Sequence, residues 1–120
     1  MKKKIIILSG GYSKERAISL NTGREVFKSL KKRHKVKLLD PKGNLIKELR
    51  KFKPDIVFNA LHGRFGEDGY IQALLEKERI KYTHSGVFSS SISIDKELSK
   101  KIFKQNSILT PKCIKLSNIN

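Results

Sequence analysis

The sequence predicts an α/β fold, a Rossmann-like parallel sheet flanked by helices in a single domain. Three observations carry the prediction. Short apolar runs alternate along the chain with segments of helical periodicity. The first of those runs closes on a glycine pair, Gly10-Gly11, as a strand does where it turns into a helix. The 120 residues suit one domain. Strands alternating with helices imply right-handed crossovers, hence a mostly parallel sheet with helices on both faces.

Each element follows in order. Lys3 to Leu8 reads as a buried strand, a nearly continuous apolar run. Ser13 is placed to cap the next helix, whose apolar stripe is Ile18, Val26, Phe27 and Leu30; Gly23 weakens its interior. His34 to Asp40 gives a second strand, and Pro41-Lys42-Gly43-Asn44 a turn. Leu45, Ile46, Leu49 and Phe52 share helical spacing. Asp55 to Leu61 is a third, largely buried strand, followed by the glycine-rich "HGRFGEDG". Tyr70, Ile71, Leu74 and Leu75 form another helical stripe, with Asp68 as its N-cap. Ile80 to Thr83 reads as a short fourth strand. From Val87 the chain is helical in two pieces, the second from about Asp95 to Gln105. Thr110-Pro111 ends it, and "KCIKL" (residues 112–116) starts one more strand.

Composition narrows the function classes. Charged residues make up 32% and hydrophobic residues 38%, which suits neither a disordered tail nor a membrane protein. The apolar run Ile5 to Leu8 is too short to span a bilayer or to serve as a signal-peptide core. The single Cys113 cannot form an internal disulfide, so a cytoplasmic protein is expected. Basic residues outnumber acidic ones by 27 to 11, for a net charge of +16. That excess admits a nucleic-acid binder. However, the lysines are scattered over polar helix positions, with no aromatic RNA-binding pattern or zinc-finger spacing beside them. A solvated lysine-rich surface is the better account, and no nucleic-acid or membrane partner is expected.

In parallel α/β sheets, ligands bind outside the carboxyl ends of the strands. That rule selects the loops Gly10 to Glu15, His62 to Gly69 and His84 to Gly86. The first lacks the G-x-G-x-x-G of dinucleotide folds and the G-K-[ST] of P-loops. It offers Glu15 instead, which repels phosphate and attracts a cation such as an ammonium group. From this loop alone two roles stand open for Glu15: complementing the helix dipole or holding a ligand. In the second loop, Gly63, Gly66 and Gly69 permit unusual backbone or close ligand approach. Glu67 is placed to brace the loop against Arg16 or Lys14. His62, polar and aromatic at a strand end, suits a site. His34, His62 and His84 show no metal spacing.

Four ordered motifs, "GGYSKERAISLNTG", "NALHGRFGEDGYIQALLE", "YTHSGV" and "SISIDKELSKKIF", resemble the amino-terminal part of D-alanine–D-alanine ligases, of the ATP-grasp superfamily. The resemblance covers Lys3 to Lys112. It implies that residues 1–110 form the amino-terminal, pre-ATP-grasp domain and that 111–120 begin the central one. It also implies ATP-dependent synthesis of the D-Ala-D-Ala dipeptide for peptidoglycan. On matching positions, Glu15 falls on the glutamate that holds the ammonium of the first D-alanine, and His62 borders that subsite; these are the expected catalytic pair. Gly11 and Ser13 shape the same pocket, and Lys96 meets ATP phosphate. The Mg²⁺ ligands, most of the ATP grip and the second D-alanine site belong to the later domains of that family, which are dimeric enzymes. This chain alone is therefore expected to be inactive and to contain no metal site. His84 stands where the family has glycine, which puts its fit near the pocket in question. A stand-alone small-ligand-binding module is the alternative.

Overall fold

The computed structural model describes residues 1–114 and 116. At its centre lies β1 (Lys4–Leu8), paired in parallel with β2 (Lys35–Leu39) on one side and β3 (Ile56–Asn59) on the other. Ile7 sits opposite Leu38 and Phe58. Connecting and following these strands are α1 (Arg16–Leu30), α2 (Leu45–Phe52), α3 (Tyr70–Lys77), α4 (Val87–Ile94) and α5 (Lys96–Gln105).

A strand sends alternate side chains to opposite faces, and "KIIIL" is apolar on both. Ile5 and Ile7 face α1, where Val26, Phe27 and Leu30 pack with Ala60, Ile56 and Phe58. Ile6 and Leu8 face the other layer, with Leu45 and Leu49 of α2 and Ile71 and Leu75 of α3. The sheet is thus covered on both sides, as the alternation of elements predicts.

Local chemistry sets most boundaries. Asn44 caps α2 by accepting from the Lys47 amide (3.2 Å), and Lys53 ends it in the left-handed region. Asp95 separates the last two helices: its Oδ1 accepts from the Glu97 and Leu98 amides, both at 3.0 Å, and so caps α5.

Several expectations need correction. Residues 80–83 do not form a fourth strand; they make one parallel bridge, Val57 to Tyr82. The ladder stops there because the next amide, that of Asn59, donates to the Thr83 hydroxyl (3.3 Å) instead of a main-chain carbonyl. Ser13 is not the cap of α1. The helix starts two residues later than that cap requires, with Glu15 in the N-cap place; the Ser13 hydroxyl accepts from the Glu15 amide (3.1 Å) and closes a local turn. Ile18 is not in the buried stripe but 55% exposed. The buried line of α1 is Ser19 and Gly23, continued by the half-buried Val26, Phe27 and Leu30. The cap of α3 falls on Gly69, one residue after Asp68, whose carboxylate still accepts from the Tyr70 amide (3.1 Å). Lys112 to Ile114 and Leu116 have no regular secondary structure, and Lys115 of the strand expected there lies outside the described residues. Among the described residues no helix is long and apolar enough to cross a membrane.

Candidate functional site

The loops after β1 and β3 meet at the carboxyl edge of the sheet. After β1 the chain turns through Gly10 (φ +96°) and Gly11 (φ +77°), a region that side chains rarely enter. The turn is anchored from the helix that follows. The Gly10 amide donates to the buried Ser19 hydroxyl (2.8 Å), which donates in turn to the Ala60 carbonyl (2.7 Å). One serine therefore links the exits of β1 and β3.

A second anchor comes from β2. Asp40, directly after that strand, accepts from the Gly11 and Lys42 amides, each at 3.1 Å. It also pairs with Arg16 (2.6 Å). Burial, the largest single influence, works to raise the Asp40 pKa. The Lys42 and Gly11 amides and the Arg16 guanidinium together outweigh it and hold the carboxyl below its ordinary value.

The loop after β3 braces itself. Asn59 at the strand end is buried; its amide side chain donates to the Gly66 carbonyl (2.8 Å) and accepts from the Leu61 amide (3.0 Å). Asp68 accepts from the Phe65 amide (2.9 Å), which holds Phe65 at φ +68°. Glu67 does not reach Arg16 or Lys14 as expected. It accepts from the Gly63 amide (2.7 Å), four residues back in its own loop, while Arg16 is engaged by Asp40.

The two loops touch at Gly63 (φ +65°). A side chain built there would lie 2.8 Å from the Ser13 hydroxyl and 3.0 Å from Glu15 Oε2. A side chain at Gly63 would displace both groups, and the Glu15 carboxylate rests against the backbone next to His62. Gly11 and His62 line a cleft of about 790 Å³, floored by Leu61, Ile71 and Leu74. Its rim is an aromatic row, Tyr12 against Phe65 and Phe65 against Tyr70, with centroids 5.8 and 5.2 Å apart. Ser13 and Glu15 stand beside this cleft at Gly63, not in its lining.

Four of the expected residues, Gly11, Ser13, Glu15 and His62, thus gather at one edge. Lys96 is elsewhere: exposed at the start of α5, it borders a separate hollow of about 220 Å³ with Ser93, Ser99, Lys100, Phe103 and Thr110. Lys100 there donates to the Thr110 hydroxyl (2.9 Å) and the Pro111 carbonyl (2.6 Å). Lys96 thus lies apart from the edge where the other four gather. His84 is exposed and lines neither cavity. Among the described residues no group of three or more His, Cys, Asp or Glu could hold a metal ion. The reading of the sequence missed Asp40, although the same strand-end rule that selected the other loops also points to it.

The sequence and the fold are similar to those of known proteins. A family model described as the D-ala D-ala ligase N-terminus matches residues 41–85. The D-alanine–D-alanine ligase of Pelagibacter ubique is 63% identical over 98% of this chain, and that of Zymomonas mobilis 51% identical over 92%. The chain spans 39% and 35% of the length of these two relatives. The structure of the D-alanine–D-alanine ligase from Bacillus anthracis complexed with ATP superposes with a TM-score of 0.81 at 33% identity. That match covers 98% of this chain and 42% of that one.

Proposed function

This chain belongs to the D-alanine–D-alanine ligase family, whose amino-terminal part it matches, and on that footing we propose that it holds the first D-alanine in such a ligase. The observation that carries the reading is the meeting of two loops at Gly63, where the Glu15 carboxylate lies against the residue that follows His62. A carboxylate beside the carboxyl ends of two parallel strands suits the ammonium group of an amino acid. Glu15 holds the ammonium, His62 borders the same subsite, and Gly11 and Ser13 give it shape.

In the whole ligase, the carboxylate of this D-alanine takes the terminal phosphoryl group of ATP to form an acyl phosphate. The amino group of a second D-alanine attacks, and the tetrahedral adduct expels phosphate as the peptide bond forms. Lys96 faces the ATP phosphates. Mg²⁺ accompanies ATP, and among the described residues no group of three or more His, Cys, Asp or Glu could hold it. Residues 1–110 form the substrate-holding unit and 111–120 lead into the ATP-binding part. The ligase works in the cytoplasm, as a homodimer, supplying peptidoglycan synthesis.

Titration of the isotope-labelled chain by D-alanine, followed by amide NMR, tests the reading. The expected shifts cluster at Gly11, Ser13, Glu15, His62 and Gly63, and L-alanine produces weaker ones. Absence of such a cluster, or equal response to both enantiomers, would remove the site from this edge.

A further inference from the structure

We propose that Arg16 and Asp40 are a positioning pair that aims the Glu15 carboxylate at the end of β3. The proposal rests on the reading of that edge as the D-alanine subsite, and it adds residues from a different strand to it.

The geometry is a closed ring around one residue, Gly11. Asp40 Oδ1 accepts from the Gly11 amide (3.1 Å). Arg16 Nη1 donates to the Gly11 carbonyl (3.1 Å), and the same nitrogen lies 2.6 Å from Asp40 Oδ2. Gly11 is therefore gripped at both ends by two side chains that are bound to each other. The grip is close: a Cβ on Gly10 would fall 2.6 Å from Asp40 Oδ2 and 2.7 Å from Arg16 Nη1.

Position in the chain turns this grip into aim. Arg16 is the first residue of α1 and follows Glu15 directly. With its guanidinium held on the β2 side, the start of α1 has one rotation about its axis, and Glu15 faces the β3 side, at Gly63. Ser19 fixes the next turn of the helix against Ala60, so the segment between the anchors has little freedom. An ordinary surface ion pair does less than this. Exposed pairs contribute about 1 kcal/mol or nothing to stability and position no third group. Here the pair is only about a third exposed (37% and 30%) and bonded to the loop that carries the subsite.

The test is D-alanine affinity, read by amide NMR on the full chain, with thermal melts alongside. Asp40→Asn keeps the shape and loses the charge; Arg16→Lys keeps the charge and loses the planar guanidinium whose Nη1 reaches both Gly11 and Asp40. Each is expected to raise the D-alanine Kd about tenfold, the middle of the range for residues in one network. In a Glu15→Gln background, Asp40→Asn is expected to add no more than about twofold, because the aimed carboxylate is already gone. Should Asp40→Asn fail to fold, Arg16→Lys and its double variant with Glu15→Gln carry the same comparison. Variants that melt lower yet bind D-alanine as the wild type does would overturn the positioning role. So would a loss of affinity that persists in full without Glu15. A wild-type chain that shows no D-alanine binding would sink the subsite reading itself, and the proposal with it.

Discussion

Gly23 lies in the middle of α1, where glycine ordinarily weakens a helix by about 1 kcal/mol relative to alanine. On propensity alone, Gly23→Ala should stabilise the protein. The packing gives the opposite sign. A Cβ at Gly23 would lie 2.5 Å from Ser9 Cβ and 2.6 Å from its hydroxyl, with Leu38 Cδ2 at 3.4 Å. Carbon atoms rest at about 3.5–4.0 Å, so helix and strand would have to part by about 1 Å. Ser9 is buried, 4% exposed, and its Cβ is fixed to the backbone, so no flexible end can move aside. Overpacking of this kind costs about 1–3 kcal/mol, and a rigid contact belongs at the upper end. Setting the helix-propensity gain against it leaves a net loss of about 2 kcal/mol. At about 4 °C per kcal/mol, the melting temperature should fall by about 8 °C, measured by circular dichroism. Ser9→Gly should recover most of the loss in the double variant, since it removes the atom that is struck. A Gly23→Ala chain that melts at or above the wild type would refute the reasoning and restore propensity as the deciding effect.

Glu15→Gln should weaken D-alanine binding about tenfold or more, the loss of one charge-assisted hydrogen bond, with the melting temperature nearly unchanged because Glu15 is exposed; unaltered affinity on titration would take the residue out of the site. Tyr82 donates to Glu76 Oε1 (2.6 Å), and this bond first, then burial, pushes the phenol pKa from 10.0 up to about 12. A raised pKa in the folded state means the contribution is complete below pH 10 and lost as pH climbs towards 12. Denaturant melts of Tyr82→Phe should therefore fall less steeply than wild type across that window, and parallel curves would exclude the linkage. Finally, the purified chain given ATP, Mg²⁺ and D-alanine should release no phosphate above the blank, whereas turnover would show that these residues do more than hold the first substrate.

The sequence carries the layer architecture because periodicity is a local property. "KIIIL" can be buried on both faces only in a sheet covered on both sides, and the stripes of α2 and α3 supply one cover. Glu15 and His62 stand out in the sequence as candidates for a related reason: strand ends in such sheets are where ligands lie, and a carboxylate there has a chemical sign. Sequence reading went astray where neighbours in space decide. Ile18 has the apolar character of a core residue but lies on the outer side of α1, because Ser19 and Gly23 are the residues small enough to sit against β1 and the β3 exit. Residues 80–83 look like a strand, yet a side-chain hydroxyl from Thr83 takes the amide that a further ladder bond would need.

By itself, then, the sequence determined the three paired strands and the helices that cover them, and which loops lie at the carboxyl edge with what charge. Only the tertiary structure decided that Gly63 must be bare for Glu15 to lie against it, that Asp40 and Arg16 close around Gly11, and that Lys96 stands at a separate hollow. The division has a physical cause. Secondary structure and charge follow from residues a few positions apart. The aim of a carboxylate is set by contacts such as Asp40 to Gly11, 29 residues apart in the chain, that exist only once the sheet has brought three strand ends together.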